Sequence, residues 1–279
     1  MKKNRARFVS FLVFCAVFLL NVSQSFAKPV ANPSLSAKSA IIIDSRSGGI
    51  LYSKNPYLKL PPASTTKVMT ALIALEKLPL KKKVPASRRA VDVAPSKAGL
   101  TLGAEYTVAA LIVATLVSSS NDAAVVLAEA AAGSEEEFVR LMNAKAKKLG
   151  MLSTQFVNAT GLPEKDRRKN QFSTAYDLTR LMRAAAKDKR IDYVMGITFA
   201  TIRGTDGKAI VLRSHNKMLW RTPKFVKGKT GWTFASRHTF VGTDYAPHKQ
   251  IIFAILSSKK PWVDIERLAS FGLLLKNRG

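Results

Sequence analysis

From residue 198 onward the chain reads mostly as strand. Thr198–Arg203, Ala209–Arg213, Gly228–Phe234, His238–Tyr245 and Gln250–Ser257 are short runs rich in β-branched and aromatic residues. Several are joined by short connections, and Gly204-Thr205-Asp206-Gly207 has the composition of a hairpin turn. Consecutive strands linked this way imply an antiparallel sheet, because a parallel crossover needs a dozen or more residues. Two more strand-like runs, 40–44 and 49–53, lie near the start around a Gly-rich turn. The middle of the chain is helical. The pattern predicts helices over 64–77, Val108–Val117 (apolar nearly all round, hence buried), Asp122–Ala132 and Thr174–Ala186. Ser134 with Glu137 forms a capping-box pattern that opens a further helix, stopped by Gly150. A last helix is expected from Val263 to Leu275. Strands at both ends and helices between them give an α+β chain whose helices cover the faces of the sheet.

The first 27 residues are set apart from this pattern. Lys2, Lys3, Arg5 and Arg7 precede an apolar run, Phe8–Val22, and then Ser25-Phe26-Ala27. That layout is a secretory signal with a small-x-small cleavage site, so the mature chain is expected to begin at Lys28 and to be exported. No later stretch is apolar and long enough to cross a bilayer. The only cysteine, Cys15, lies inside the leader, which leaves the mature part without a thiol nucleophile, a thiolate metal site or a disulfide. The net charge is +27. Removing the leader leaves about +23, a field that favours polyanions. Single runs such as Lys81-Lys82-Lys83 and Arg167-Arg168-Lys169 read as solvated loops. The total points to anionic cell-envelope polymers or lipid heads as partners, and an exported chain has no evident use for nucleic acid.

Few residues here can cut a bond. None of the three histidines, His215, His238 and His248, has a neighbour at H-E-x-x-H spacing, and no G-x-S-x-G elbow is present. No metal site or cofactor is expected, and the histidines read as structural or surface residues. Lysine can act as base in place of histidine once burial or a nearby cation lowers its pKa. On a helix, residues i and i+3 share a face, so Ser64-Thr65-Thr66-Lys67 sets an amine one turn from a hydroxyl. Taken alone this pattern is weak, since Ser214…Lys217 and Ser257…Lys260 repeat it. Two further elements single out Ser64. Ser119-Ser120-Asn121 falls at a junction of two expected helices, although Ser214-His215-Asn216 also fits Ser-x-Asn. Lys229-Thr230-Gly231 occurs once, inside an expected strand, where glycine leaves room for a ligand backbone.

S-x-x-K, then S-x-N, then K-T-G, in this order and spacing, is the signature of class A β-lactamases and penicillin-binding proteins. The chain resembles the D-alanyl-D-alanine carboxypeptidase family of low-molecular-mass penicillin-binding proteins. The likeness rests on Pro61–Ala71 around Ser64, on Ser119–Ala124 and on Lys229-Thr230-Gly231-Trp232-Thr233. Asn158-Ala159-Thr160-Gly161-Leu162 and Ser173–Leu178 add to it, and the likeness runs from about residue 35 to the end. It implies a β-lactamase/transpeptidase-like fold, with an antiparallel five-stranded sheet covered by helices and an all-helical lobe.

It also implies a serine D-Ala-D-Ala carboxypeptidase acting on peptidoglycan stem peptides, with β-lactams as covalent inhibitors. In that scheme Ser64 is the nucleophile and Lys67 its base. Ser119 and Asn121 line the opposite wall. Lys229, Thr230 and Thr233 face the substrate carboxylate, and the backbone N–H groups of Ser64 and Trp232 form the oxyanion hole. Gly231 completes the binding strand.

The chain departs from the family pattern in three places. Trp232 stands where histidine or tyrosine is frequent. A basic residue expected near the last helix is represented only by Lys259, Lys260 or Arg237, around Pro261. The sequence ends with the catalytic domain (28–279), without the β-rich domain and amphipathic anchor of longer members, which makes it similar to shorter members that act as D,D-endopeptidases on cross-links. A β-lactamase, which would draw on Glu164 and the Asp166…Asn170 stretch, and a catalytically idle wall-binding protein are the other readings.

Overall fold

The computed structural model describes residues 31–164, 166, 170–221, 226–246 and 249–278. The leader, His248 and the Arg167-Arg168-Lys169 run lie outside them. The body begins at Pro33. Strands β1 (Ser39–Asp44) and β2 (Ile50–Lys54) pair antiparallel around a turn in which Asp44 accepts from the backbone and hydroxyl of Ser47. A 3₁₀ turn, Ala63–Thr66, leads into α1 (Lys67–Lys77). Next come β3 (Lys83–Pro85), α2 (Arg88–Asp92), β4 (Glu105–Thr107), α3 (Val108–Val117), α4 (Asn121–Ala132) and α5 (Glu135–Lys148). Then follow α6 (Ala175–Ala185), α7 (Lys189–Met195), β5 (Phe199–Arg203), β6 (Ala209–Arg213) and α8 (Met218–Arg221). The chain closes with β7 (Val226–Thr233), β8 (Arg237–Ala246), β9 (Lys249–Ser258) and α9 (Pro261–Arg278).

Five strands form one antiparallel sheet in the order β2-β1-β9-β8-β7, so the first strands of the body sit beside the last. Alternation along β1 and β9 sends successive side chains to opposite faces. Ile41, Ile43, Ile252, Ala254 and Leu256 join the main core, where α6 packs on β1 and β9. Ile42 and Phe253 point the other way and are covered by α9, whose Gly272 lies against Ile42 and Ile251. Burial on both faces explains the unbroken apolar run of β9. Truncating Phe253 to alanine at this position would cost about 3–5 kcal/mol.

The second half of the molecule is a helical lobe centred on α4, in which Asn121–Ala128 are all buried among α1, α2, α3 and α5. Side-chain caps fix the helix starts. Thr107, Ser134 and Thr174 accept from the backbone N–H of Ala110, Glu137 and Asp177. The expected capping box at Ser134 forms only by half, because the Glu137 carboxylate turns outward to Arg140. The fold class holds, with two refinements. β5 and β6 form a separate hairpin, closed as expected at Gly204–Gly207, and the sheet draws its other strands from the start of the chain. The expected helix at 64–77 opens as a 3₁₀ turn.

Candidate active site

The 3₁₀ turn has a chemical consequence. With three residues per turn, side chains at i and i+3 stack directly, so Ser64 stands over Lys67. Lys67 Nζ lies 3.1 Å from Ser64 Oγ, and the lysine side chain is fully buried. The turn is tied down at Pro62, whose carbonyl accepts from Thr65 Oγ1 (2.7 Å) and, across to β8, from Thr239 Oγ1 (3.0 Å).

Lys67 Nζ makes three polar contacts, as many as the lysine head has places for hydrogen bonds. Besides Ser64 it donates to Asn121 Oδ1 and to the Thr160 carbonyl, each at 2.6 Å. Asn121 is held from behind, since its amide donates to the Ala94 carbonyl (3.0 Å) and its backbone N–H to Ser96 (2.7 Å). The next residue, Asp122, is buried and accepts from the backbone N–H groups of Ala98, Gly99 and Leu100 at 2.9–3.2 Å. At the α3–α4 junction Ser119 adopts φ +60°, a strained conformation for a non-glycine residue, and aims its hydroxyl at β7. Thr160 is positioned by Asn158, whose Oδ1 accepts from the backbone and hydroxyl of Thr160 and from the N–H of Gly161. Gly161 has φ +87°, and a Cβ there would lie 2.0 Å from the Ala63 carbonyl oxygen. Only glycine lets this loop reach the Ser64 turn.

The third segment is β7, an edge strand paired on one side only. Lys229 Nζ donates to Ser119 Oγ (2.8 Å) and to the Thr230 carbonyl (2.7 Å). A Cβ on Gly231 would fall 2.8 Å from the backbone nitrogen of Ser64 and 2.4 Å from Thr239 Oγ1. The strand therefore passes against the Ser64 turn. The three sequence motifs, far apart in the chain, meet at one place, where the set Ser64–Lys67–Asn121 adjoins the pair Ser119–Lys229 at the α3–α4 junction.

Residues 26–260 match the D-alanyl-D-alanine carboxypeptidase family of peptidases. The chain belongs to that family. It is 32% identical over 264 residues to the D-alanyl-D-alanine carboxypeptidase DacF of Bacillus subtilis, a match covering 91% of this chain and 67% of that one. It is 30% identical over 240 residues to a D-alanyl-D-alanine endopeptidase of Escherichia coli, covering 83% and 74%. The solved D-alanyl-D-alanine carboxypeptidase of Mycobacterium tuberculosis superposes with a TM-score of 0.83 at 31% identity, covering 89% of this chain and 95% of the other. The fold expected from the resemblance is thus the fold of a solved family member.

In this carboxypeptidase-family site the two lysines are buried, and among the described residues neither takes part in an ion pair. Burial, the larger cause, and repulsion from Lys229 hold Lys67 well below its ordinary pKa, against the pull of Asp122. Burial brings Lys229 down to about 7. His215 is lowered to about 4, by burial first and then by Lys229 and Lys67, so its imidazole is neutral at neutral pH.

The site opens into a cleft of about 1130 Å³. Ser64, Ser119, Asn121, Thr230, Gly231, Trp232 and Thr233 all border it, whereas Lys67 and Lys229 lie behind its wall and reach it through the hydroxyls they contact. Trp232 and Phe234 form an exposed aromatic pair at one end, with ring centroids 5.0 Å apart. Pro261 borders the cleft, while Arg237, Lys259 and Lys260 are exposed and do not line it. Glu164 lines the cleft and accepts from Asn158 Nδ2 (2.8 Å).

Sequence reasoning read His215 and His238 as structural or surface residues and gave neither a place at the site, and both border the cleft. It also gave no role to Asn158, Thr160 or Asp122. Asn158 and Thr160 carried a signal in Asn-x-Thr-Gly, the composition of a side-chain-stabilised turn. Asp122 carried none beyond its place after Asn121.

Proposed function

We propose that this enzyme removes the terminal D-alanine from peptidoglycan stem peptides through an acyl-enzyme on Ser64. The observation that carries the reading is the buried amine of Lys67, 3.1 Å from Ser64 Oγ beside an open cleft. Neutral Lys67 takes the Ser64 proton as Oγ attacks the carbonyl of the D-Ala–D-Ala bond. The backbone N–H groups of Ser64 and Trp232 receive the developing oxyanion. The C–N bond breaks and D-alanine leaves with a proton passed through Ser119. Water then attacks the ester, gives a proton back to the lysine–serine network and restores Ser64. Asn121 orients Lys67 and the substrate amide. Lys229, through the hydroxyl of Ser119, together with Thr230 and Thr233 supplies the positive, hydrogen-bonding end that a terminal carboxylate requires.

A β-lactam presents the same carbonyl and carboxylate, so it acylates Ser64 in place of the peptide. The leader (residues 1–27) and the cell-wall substrate together support export to the periplasm or wall space, where the surplus of positive charge attracts anionic polymers. No distance within the site favours the endopeptidase alternative.

The test is D-alanine release from a pentapeptide ending in D-Ala–D-Ala, with intact-protein mass after penicillin treatment. The parent should release D-alanine and gain one penicillin, and Ser64→Ala should do neither. Undiminished release by Ser64→Ala would place the nucleophile elsewhere.

A further inference from the structure

A second concavity lies at the far ends of the helices that build the site. α1 begins at Lys67, and α3 ends two residues before Ser119. Leu75 of α1, Leu80 just beyond it, Ile112 and Val113 of α3, and Tyr193 and Val194 of α7 line an apolar groove of about 310 Å³. At 1.5 Å per residue, Leu75 lies about 12 Å along α1 from Lys67, and Ile112 and Val113 lie about 6–8 Å along α3 from its end at Val117. Tyr193 is 71% exposed although it stands at an apolar position.

The rim of the groove is basic. Lys189 and Arg190 line it directly. The Lys81-Lys82-Lys83 run is fastened beside it, because the Leu80 and Lys82 carbonyls accept from the first N–H groups of α3, Ala109 (3.1 Å) and Val108 (2.9 Å). Lys77, in the last turn of α1, adds another. Lys77, Lys81, Lys82, Lys83 and Lys189 are exposed, and among the described residues none takes part in an ion pair. The acidic residues on this side are already engaged, Glu76 by Lys145 and Asp188 by Arg190.

We propose that this pole is a docking surface for an anionic phospholipid membrane, with the apolar groove and Tyr193 set at the interface and the lysines among the headgroups. A soluble polyanion would use the lysines and leave the groove unexplained. A bilayer uses both, since tyrosine and lysine each place an apolar stem and a polar tip across a membrane interface. Among the described residues no helix is long and apolar enough to cross a membrane, so the contact is a surface one. The groove shares no lining residue with the catalytic cleft. The inference stands apart from the proposed reaction, because its readout is binding.

The experiment is co-sedimentation of the purified protein with phosphatidylcholine vesicles, with and without about one third phosphatidylglycerol, over a salt series. The parent should bind the anionic vesicles in a salt-dependent manner and ignore the neutral ones. Each lysine near such a surface is worth about fivefold in binding, so Lys81→Gln/Lys82→Gln/Lys83→Gln should lose about 100-fold. Tyr193→Ser should lose several-fold more than the same change at Tyr57, an exposed tyrosine elsewhere. D-Alanine release and Tm should be unchanged in all of them. No binding to anionic vesicles would overturn the proposal. So would full binding by Tyr193→Ser combined with equal affinity for soluble polyphosphate, which would make the patch a polyanion site.

Discussion

Replacing Asn121 by aspartate tests whether Lys67 acts as a neutral base. The Asn121 oxygen sits 2.6 Å from Lys67 Nζ, and the substitution keeps the shape while adding a negative charge at that contact. An opposite charge favours the protonated amine and so raises a pKa that burial and Lys229 now hold down. At an effective dielectric constant of about 20, two charges about 4 Å apart interact by about 4 kcal/mol. Allowing for the cost of burying the new carboxylate, about 3 kcal/mol remains, or a fall of about 100-fold in kcat/KM at neutral pH. The loss is specific in form. A base must be unprotonated, so the acid limb of the kcat/KM profile moves to higher pH and activity recovers as pH rises. Asn121→Ala, which removes the hydrogen bond without adding charge, should depress the whole profile and leave the acid limb in place or shifted to lower pH. The assay is D-alanine release across pH, with Tm to confirm folding. An Asn121→Asp profile lowered uniformly, with its acid limb unmoved, would refute the role of Lys67 as base.

Other outcomes follow from neighbouring contacts. Lys229 has a pKa of about 7, so its charge, favourable below that value, is lost as pH rises through it; kcat/KM should show an alkaline limb near neutrality, and Lys229→Gln should abolish the limb and lower kcat/KM about 10- to 100-fold. Gly161→Ala would force a Cβ to 2.0 Å from the Ala63 carbonyl at φ +87°, and penicillin acylation of Ser64 should slow by about 100-fold or more, measured by stopped-flow labelling. Asp122→Ala strips the partner from four backbone N–H groups in the lobe, which should lower stability by about 3–5 kcal/mol in urea unfolding. Incubation with a cross-linked muropeptide dimer separates the endopeptidase alternative; dimers surviving after all pentapeptide is trimmed would exclude it.

Much of the fold was legible because its long elements obey simple periods. Val108–Val117 and Ala209–Arg213 coincide with the expected spans. What stayed hidden was short or depended on pairing partners far along the chain. β3, β4, α2, α7 and α8 span three to seven residues each, too few for a period to show. That β1 would lie against β9 and not beside β5 could not be read locally, since both are apolar runs with equal claim to a sheet.

The site divides in the same way. The proposed reacting groups could be singled out from sequence, because serine, lysine and glycine at fixed spacing have few other uses in combination. The supports did not, since they act through backbone atoms. Thr160 offers Lys67 a carbonyl, Pro62 ties the nucleophile turn to Thr239, and Gly161 matters only for the Cβ it lacks. Any residue has a carbonyl, so a sequence cannot reveal which one will face the amine. This division follows from the chemistry. A lysine works as a base only when stripped of water, and such burial leaves few charged side chains near enough to mark the place. Lys67 is accordingly held by a serine hydroxyl, an amide and a backbone carbonyl, and among the described residues no carboxylate is bonded to it. A carboxylate in either position would give a tighter hold and a poorer base.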